Sequence, residues 1–264
     1  MSQERRLVVI TGASSGIGQA LAWRYHQAGW NLALMARRVG EIQAWAGQQR
    51  IDPRRYAVYQ ADVASIDSIV AAGQACLAAQ GVPDVVIANA GISLGVDTAL
   101  REDLDVLARV YATNVVGLAA TFQPFIAPMR QRGSGRLVGI ASVAGIRGLP
   151  GHAAYCGSKA AVISHCESLR GELRGSGVQV VTIGPGYVDT PLTRKNRYGM
   201  PFLMSAEAFA DRAFRAIERG ASYRVIPWQM GLVAKLLRLL PNAMFDRMLA
   251  GRPRKHRQSS RPDA

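Results

Sequence analysis

A tyrosine and a lysine stand four residues apart in AAYCGSKAAVISH: Tyr155 and Lys159. Only four of the chain's 32 basic residues are lysines, so this one calls for a reason. On a helix, positions i and i+4 share a face, with Cβ atoms about 5–6 Å apart. An ammonium that close stabilises tyrosinate and draws a phenol down from about 10 toward neutral pH. Such a phenol can exchange a proton with a substrate. Lysine's compact charge can do this and also donate to hydroxyl groups. The pair reads as an acid–base centre. Ser142 closes the apolar run RLVGIAS (136–142) upstream, at the strand end where an open α/β sheet holds its ligands.

A second cluster suits anion binding. The run LVVIT (7–11) leads into TGASSGIG, with Gly12, Gly16 and Gly18 between a strand and a helix. Glycines there allow a tight turn and close approach of a pyrophosphate. The helix N-terminus then offers free N–H groups to the phosphates. The second apolar run ends in MARR, at the place that meets the adenosine ribose in a dinucleotide fold. An acid there would hold the 2′-hydroxyl of NAD. Arg37 and Arg38 stand there instead, and arginine suits a 2′-phosphate. NADP is therefore expected in preference to NAD.

These groups need a frame. Seven short apolar, β-branched runs are expected as strands: 7–11, 31–37, 55–60, 84–89, 136–142, 178–184 and 223–227. Their apolar character throughout implies burial on both faces, as in a parallel sheet. Helical stretches such as 18–29 and 65–81 alternate with them. The fold class expected is α/β: a single doubly wound parallel sheet with helices on both faces. The stretch 228–250 reads as two helices broken at Pro241. Residues 251–264 read as a basic, disordered tail. The expected organisation is a domain over 1–227, a helical extension over 228–250, and the tail. Pro124 and Pro128 are expected to kink or end a long helix.

Composition narrows the function. A chain of 264 residues, 49% hydrophobic and 19% charged, can bury a sizeable core. Cys76, Cys156 and Cys166 form no CxxC pair, and a reducing, cytoplasmic setting fits. His26, His152, His165 and His256 show no metal-ligand clustering, and no metal is expected. The formal charge of +14 suits anionic ligands, yet no nucleic-acid-binding motif accompanies it, and no nucleic acid partner is expected.

The order TGASSGIG, IANAG (87–91), Asn114, Ser142, YCGSK and PGYVDT (185–190) resembles the short-chain dehydrogenase/reductase family over residues 5–227. The resemblance implies a seven-stranded Rossmann sheet of order 3-2-1-4-5-6-7. It implies a hydride-transferring oxidoreductase acting on a small carbonyl or alcohol. By resemblance, Tyr155 is the general acid/base and Ser142 hydrogen-bonds the substrate oxygen. Lys159 binds the nicotinamide ribose and lowers the tyrosine pKa. Asn114 holds a water that links Lys159 to solvent. Ser14, Ser15, Ile17 and the glycines line the pyrophosphate. Asp62 and Val63 meet adenine. Asn89, with Ala90 and Gly91, meets the ribose region. Val188 and Thr190, after Pro185 and Gly186, hold the carboxamide. The family's NNAG reads ANAG here, with Ala88 first. A homodimer through the helices of Asn114 and Tyr155 is implied, burying Val115 and Val162. A non-catalytic dinucleotide sensor or scaffold is the alternative.

Two regions stay open. In PLTRKNRYGMPFLMS, Met200, Phe202, Leu203 and Met204 either pack a lid, with Arg194, Lys195 and Arg197 solvated, or wall a lipophilic substrate site with those cations near an anion. Leu232, Val233, Leu236, Leu237 and Leu240 repeat at helical spacing. That helix packs on the core, crosses a dimer, or lies on a membrane surface with help from the basic tail.

Overall fold

A computed structural model describes residues 6–194, 199–251 and Arg257. Its centre is a parallel sheet of seven strands: β1 (Leu7–Thr11), β2 (Asn31–Ala36), β3 (Tyr56–Gln60), β4 (Val85–Ala88), β5 (Gly135–Ile140), β6 (Val178–Pro185) and β7 (Tyr223–Ile226). Their spatial order is β3-β2-β1-β4-β5-β6-β7, with every pairing parallel. Each strand lies within two residues of its expected position.

The pleat explains why the strand runs are apolar throughout. Val8 and Ile10 of β1 enter one core, and Leu7 and Val9 enter the other. The first core is closed by α1 (Gly16–Gln27), α2 (Val39–Gln48) and α7 (Ala206–Glu218), through Leu21, Ile42 and Phe209. The second is closed by α3 (Ile66–Gln80), α5 (Gly117–Arg132) and α6 (Ala153–Glu172), through Ile69, Phe122 and Val162. Helices therefore cover both faces, as a doubly wound sheet requires. The order reverses between β1 and β4, and a ligand crevice opens there at the strands' carboxyl ends.

One expectation is narrowed and one needs correction. α5 runs through Pro124 and Pro128 to Arg132, so neither proline ends it. Buried Phe122, Phe125 and Met129 hold the helix against the sheet and outweigh the lost hydrogen bonds. Val162 is wholly buried against β5 and is not available to a dimer face, whereas Val115 is half-buried.

After β7 the chain forms α8 (Trp228–Leu239) and α9 (Asn242–Leu249), with the break at the expected proline. Met230, Ala234 and Phe245 anchor them. Arg147 clamps them from the loop after Ser142. Its guanidinium donates to the carbonyls of Leu237 and Leu240, the latter at 2.8 Å, and lies 3.8 Å from the Phe245 ring centre. Of the tail, Gly251 and Arg257 are described. Arg257 pairs with Asp103 at 2.7 Å, at the start of α4 (Arg101–Tyr111). Lys195, Arg197 and His256 lie outside the described residues.

Candidate active site

β1 delivers its last residue, Thr11, to the crevice, and Thr11 joins the two loops that floor it. Its hydroxyl accepts from the backbone N–H of Asn89 at 3.1 Å and of Ala90 at 3.2 Å. The Asn89 amide returns a hydrogen bond to the Thr11 carbonyl at 2.9 Å. The glycine loop and the ANAG loop are thereby tied together. Gly16 has φ +56°, a conformation side chains rarely adopt. Ser15 then caps α1 without a side-chain hydrogen bond, and the first turn carries no acid. The leading N–H groups of α1 are left for an anion.

At the end of β2 stand two cations. Arg38 donates to Ser14 Oγ at 3.2 Å and pairs with Glu41 at 3.0 Å. Arg37 reaches Asp62 at 3.9 Å and is largely exposed. Both arginines line the same cleft as the glycine loop.

The other end of the crevice holds the polar trio. Ser142 follows β5, and its Oγ accepts from the Ala144 N–H at 3.1 Å, which fixes its rotamer. Tyr155 and Lys159 lie in the first two turns of α6. The Lys159 ammonium donates to the Ile140 carbonyl at 2.8 Å and lies 5.8 Å from the Tyr155 ring centre. Burial lowers the Lys159 pKa to about 8. Burial also raises the Tyr155 phenol, against an opposing hydrogen bond from Ser142. Desolvation is the largest cause and outweighs the Ser142 hydrogen bond. A phenol held protonated at neutral pH is a ready acid.

Asn114 sits in a widened helical turn (112–116) between α4 and α5. Its amide donates to the Ile92 carbonyl at 2.9 Å and to Ser158 Oγ at 3.0 Å, and its Oδ1 accepts from the Ile92 N–H at 2.8 Å. Ser158 in turn donates to the Tyr155 carbonyl at 2.8 Å. Both amide hydrogens are committed, so the side chain ties the loop after β4 to α6. A water there would be left with backbone groups or the remaining lone pair of Oδ1.

One cleft of about 550 Å³ joins these ends. Every expected catalytic and cofactor-binding residue lines it except Gly18 and Asn114. A Cβ on Gly18 would lie 2.3 Å from the Gly12 carbonyl oxygen, so Gly18 lets α1 pack on the loop. The sequence reading missed Thr11, Arg109, Thr113, Ser158 and Thr193. Thr193 Oγ1 donates to the Val188 carbonyl at 2.6 Å and accepts from the Thr190 N–H at 3.0 Å, shaping the loop after β6. Among the expected apolar wall, Phe202 and Leu203 are exposed and lie outside the cleft lining. Met204 packs on the first core, and its backbone pairs with Tyr187 and Asp189. Arg194 is engaged by Asp189 at 2.8 Å.

A parallel sheet with a glycine loop at its switch point and a Ser–Tyr–Lys cluster across one cleft defines a dinucleotide-binding oxidoreductase class. The short chain dehydrogenase pattern matches residues 6–200. An uncharacterized oxidoreductase of Myxococcus xanthus is 37% identical over 241 residues, covering 91% of this chain and 95% of that one. A short-chain dehydrogenase from Sphingobium yanoikuyae, solved with NADPH, superposes with TM-score 0.75 at 26% identity over 90% of this chain and 97% of that one. A 3-ketoacyl-(acyl-carrier-protein) reductase from Brucella melitensis, solved with NADH, gives TM-score 0.76 at 25% identity over 84% and 97%. The chain belongs to the short-chain dehydrogenase/reductase family of oxidoreductases.

Proposed function

We propose that the protein is an NADP(H)-dependent reductase that moves hydride between the nicotinamide and a carbonyl or secondary alcohol. The observation that carries this is the cleft itself. It has Arg37 and Arg38 at one end and Ser142, Tyr155 and Lys159 at the other. The residues present fit the cofactor: unpaired N–H groups at α1 for the pyrophosphate, and two arginines for the 2′-phosphate.

A bound nicotinamide supplies the hydride. The chain's residues handle the oxygen. Tyr155, a phenol whose pKa desolvation raises further, gives its proton to the carbonyl oxygen as negative charge grows there. Ser142, its hydroxyl oriented by Ala144, donates a second hydrogen bond to that charge. Lys159 orients the ribose hydroxyls while anchored to Ile140. Val188 and Thr190 hold the carboxamide side.

A homodimer through the helical segments that carry Asn114 and Tyr155 is part of this reading. It would use the outer surface, where Val116 is 43% exposed, in place of Val162. A cytoplasmic setting is supported by three free, buried cysteines.

Titration with NADPH and NADH by nicotinamide fluorescence, followed by a panel of aldehydes and ketones, tests the proposal. Tight NADPH binding and oxidation by a carbonyl compound is the expected result. A folded protein that binds neither cofactor would overturn it and favour a scaffold.

A further inference from the structure

The extension carries an apolar surface that nothing in the cleft uses. On α8, Trp228, Leu232, Leu236 and Leu239 are 63%, 53%, 56% and 80% exposed. At 100° per residue they fall within an arc of about 80°. Met244 and Met248 of α9 are also exposed. Met230 and Ala234, on the opposite side of α8, are buried. The helix thus has one face for the protein and another of large apolar side chains turned to water. Lys235 and Arg238 border that second face and are exposed.

The stripe begins beside a cationic pocket. Trp228 also lines a cavity of about 420 Å³ between α7, the edge strand β7 and α8. Arg212, Arg215 and Arg219 line it from one side of α7, and Arg224 lines it from β7. Arg215 pairs with Asp211 at 2.7 Å. Arg212, Arg219 and Arg224 have no ion pair among the described residues, although three guanidinium groups share one cavity. Like charges gathered without a counter-charge suit a polyanionic surface.

We propose that α8 and the arginine pocket form a docking surface for a membrane rich in anionic lipid. The apolar stripe enters the headgroup–acyl boundary, Trp228 lies at the interface, and the arginines meet lipid phosphates and carboxylates. Charge decides this against a second copy of the chain. A two-fold contact on the same face would bring Lys235, Arg238 and the arginine pocket toward their own copies. Attachment is peripheral. α8 has 12 residues, too few for the roughly 20 that span a bilayer. Among the described residues, the one helical run long and apolar enough to span is Arg101–Arg132, whose most apolar stretch is half buried. The proposal stands apart from the redox reading and rests on none of its residues.

The test is flotation of the full chain with two kinds of vesicle: phosphatidylcholine alone, and phosphatidylcholine with about a third phosphatidylserine. The wild type should float with the anionic vesicles and largely remain below with the neutral ones. Each cation near such a surface is worth about fivefold in partitioning. Arg212→Glu with Arg219→Glu should lower it by at least about 25-fold. Leu232→Ser with Leu236→Ser should also release the protein, with NADPH titration and thermal melting unchanged. Equal flotation with both vesicles, or none with either, would overturn the proposal. So would a halved solution mass in the leucine variant without any vesicle binding by the wild type, which assigns the face to a second copy. Binding of inorganic phosphate at the arginines without flotation would assign the pocket to a soluble anion and equally overturn it.

Discussion

Lys159 places its ammonium 5.8 Å from the centre of the Tyr155 ring while donating to the Ile140 carbonyl at 2.8 Å. The buried lysine and the half-buried tyrosine are displaced from their ordinary pKa values in opposite senses. Lysine loses charge early, at about 8, and tyrosine keeps its proton late. At neutral pH the site therefore holds a protonated acid beside a cation that is close to titrating. That arrangement suits reduction of a carbonyl, which consumes the phenolic proton.

The pH dependence originates with the lysine. Above about pH 8, Lys159 sheds the charge that would meet the ribose. NADPH affinity should fall through that pH, and in Lys159→Arg, though poorly active, this limb should move well above pH 9. Stability carries the opposite sign. The unfolded lysine keeps its proton to about 10.4, so unfolding takes up a proton between those values. The penalty for burying the charge is full below about pH 8 and is relieved as pH rises. Relative to Lys159→Met, the wild type should gain roughly 1 kcal/mol between pH 7 and 9. Paired thermal melts at the two pH values would show a parallel response if the assignment were wrong.

Tyr155→Phe removes the proton and little else. Turnover should drop by about a hundred- to ten-thousand-fold. NADPH titration should be nearly unchanged, because the ribose contact belongs to Lys159. Near-wild-type turnover would move the acid role to another group.

Arg37→Ala tests the cofactor choice. Among the described residues Arg37 has only Asp62, at 3.9 Å, as an ion-pair partner, so its charge is available to a phosphate. A charge-assisted hydrogen bond is worth about 1.5–3 kcal/mol, or roughly tenfold to a hundredfold in affinity. NADPH should weaken by that much and NADH far less. Equal weakening of the two would contradict the phosphate role.

Much of this was legible in the sequence for a physical reason. Strands buried on both faces leave continuous apolar runs, and the Tyr155–Lys159 spacing survives any packing of α6. What escaped depends on tertiary contact. Thr11 is an ordinary strand threonine until the ANAG loop arrives beside it. Asn114 acts through Ile92 and Ser158, the latter 44 positions away. Val162 reads as a dimer residue until β5 covers it. The phenol's raised pKa comes from desolvation, which i, i+4 spacing does not encode. Phe202 and Leu203 form an apolar pair in sequence but stand outside the cleft lining.

Gly145 links the loop of Ser142 to the helix of Lys159. A Cβ at Gly145 would lie 2.7 Å from the Lys159 carbonyl carbon and 2.8 Å from its oxygen. Those are backbone atoms of α6 and give way only if the loop or the helix moves. Gly145→Ala should therefore cost about 1–3 kcal/mol in a thermal or denaturant melt. It should also lower kcat, because the loop that moves carries the hydrogen bond from Ala144 to Ser142. Gly148, three residues on, has nothing within 4 Å of a built Cβ. Gly148→Ala should leave both stability and kcat near wild type. If the two variants behaved alike, the close approach of loop and helix would not be what positions Ser142.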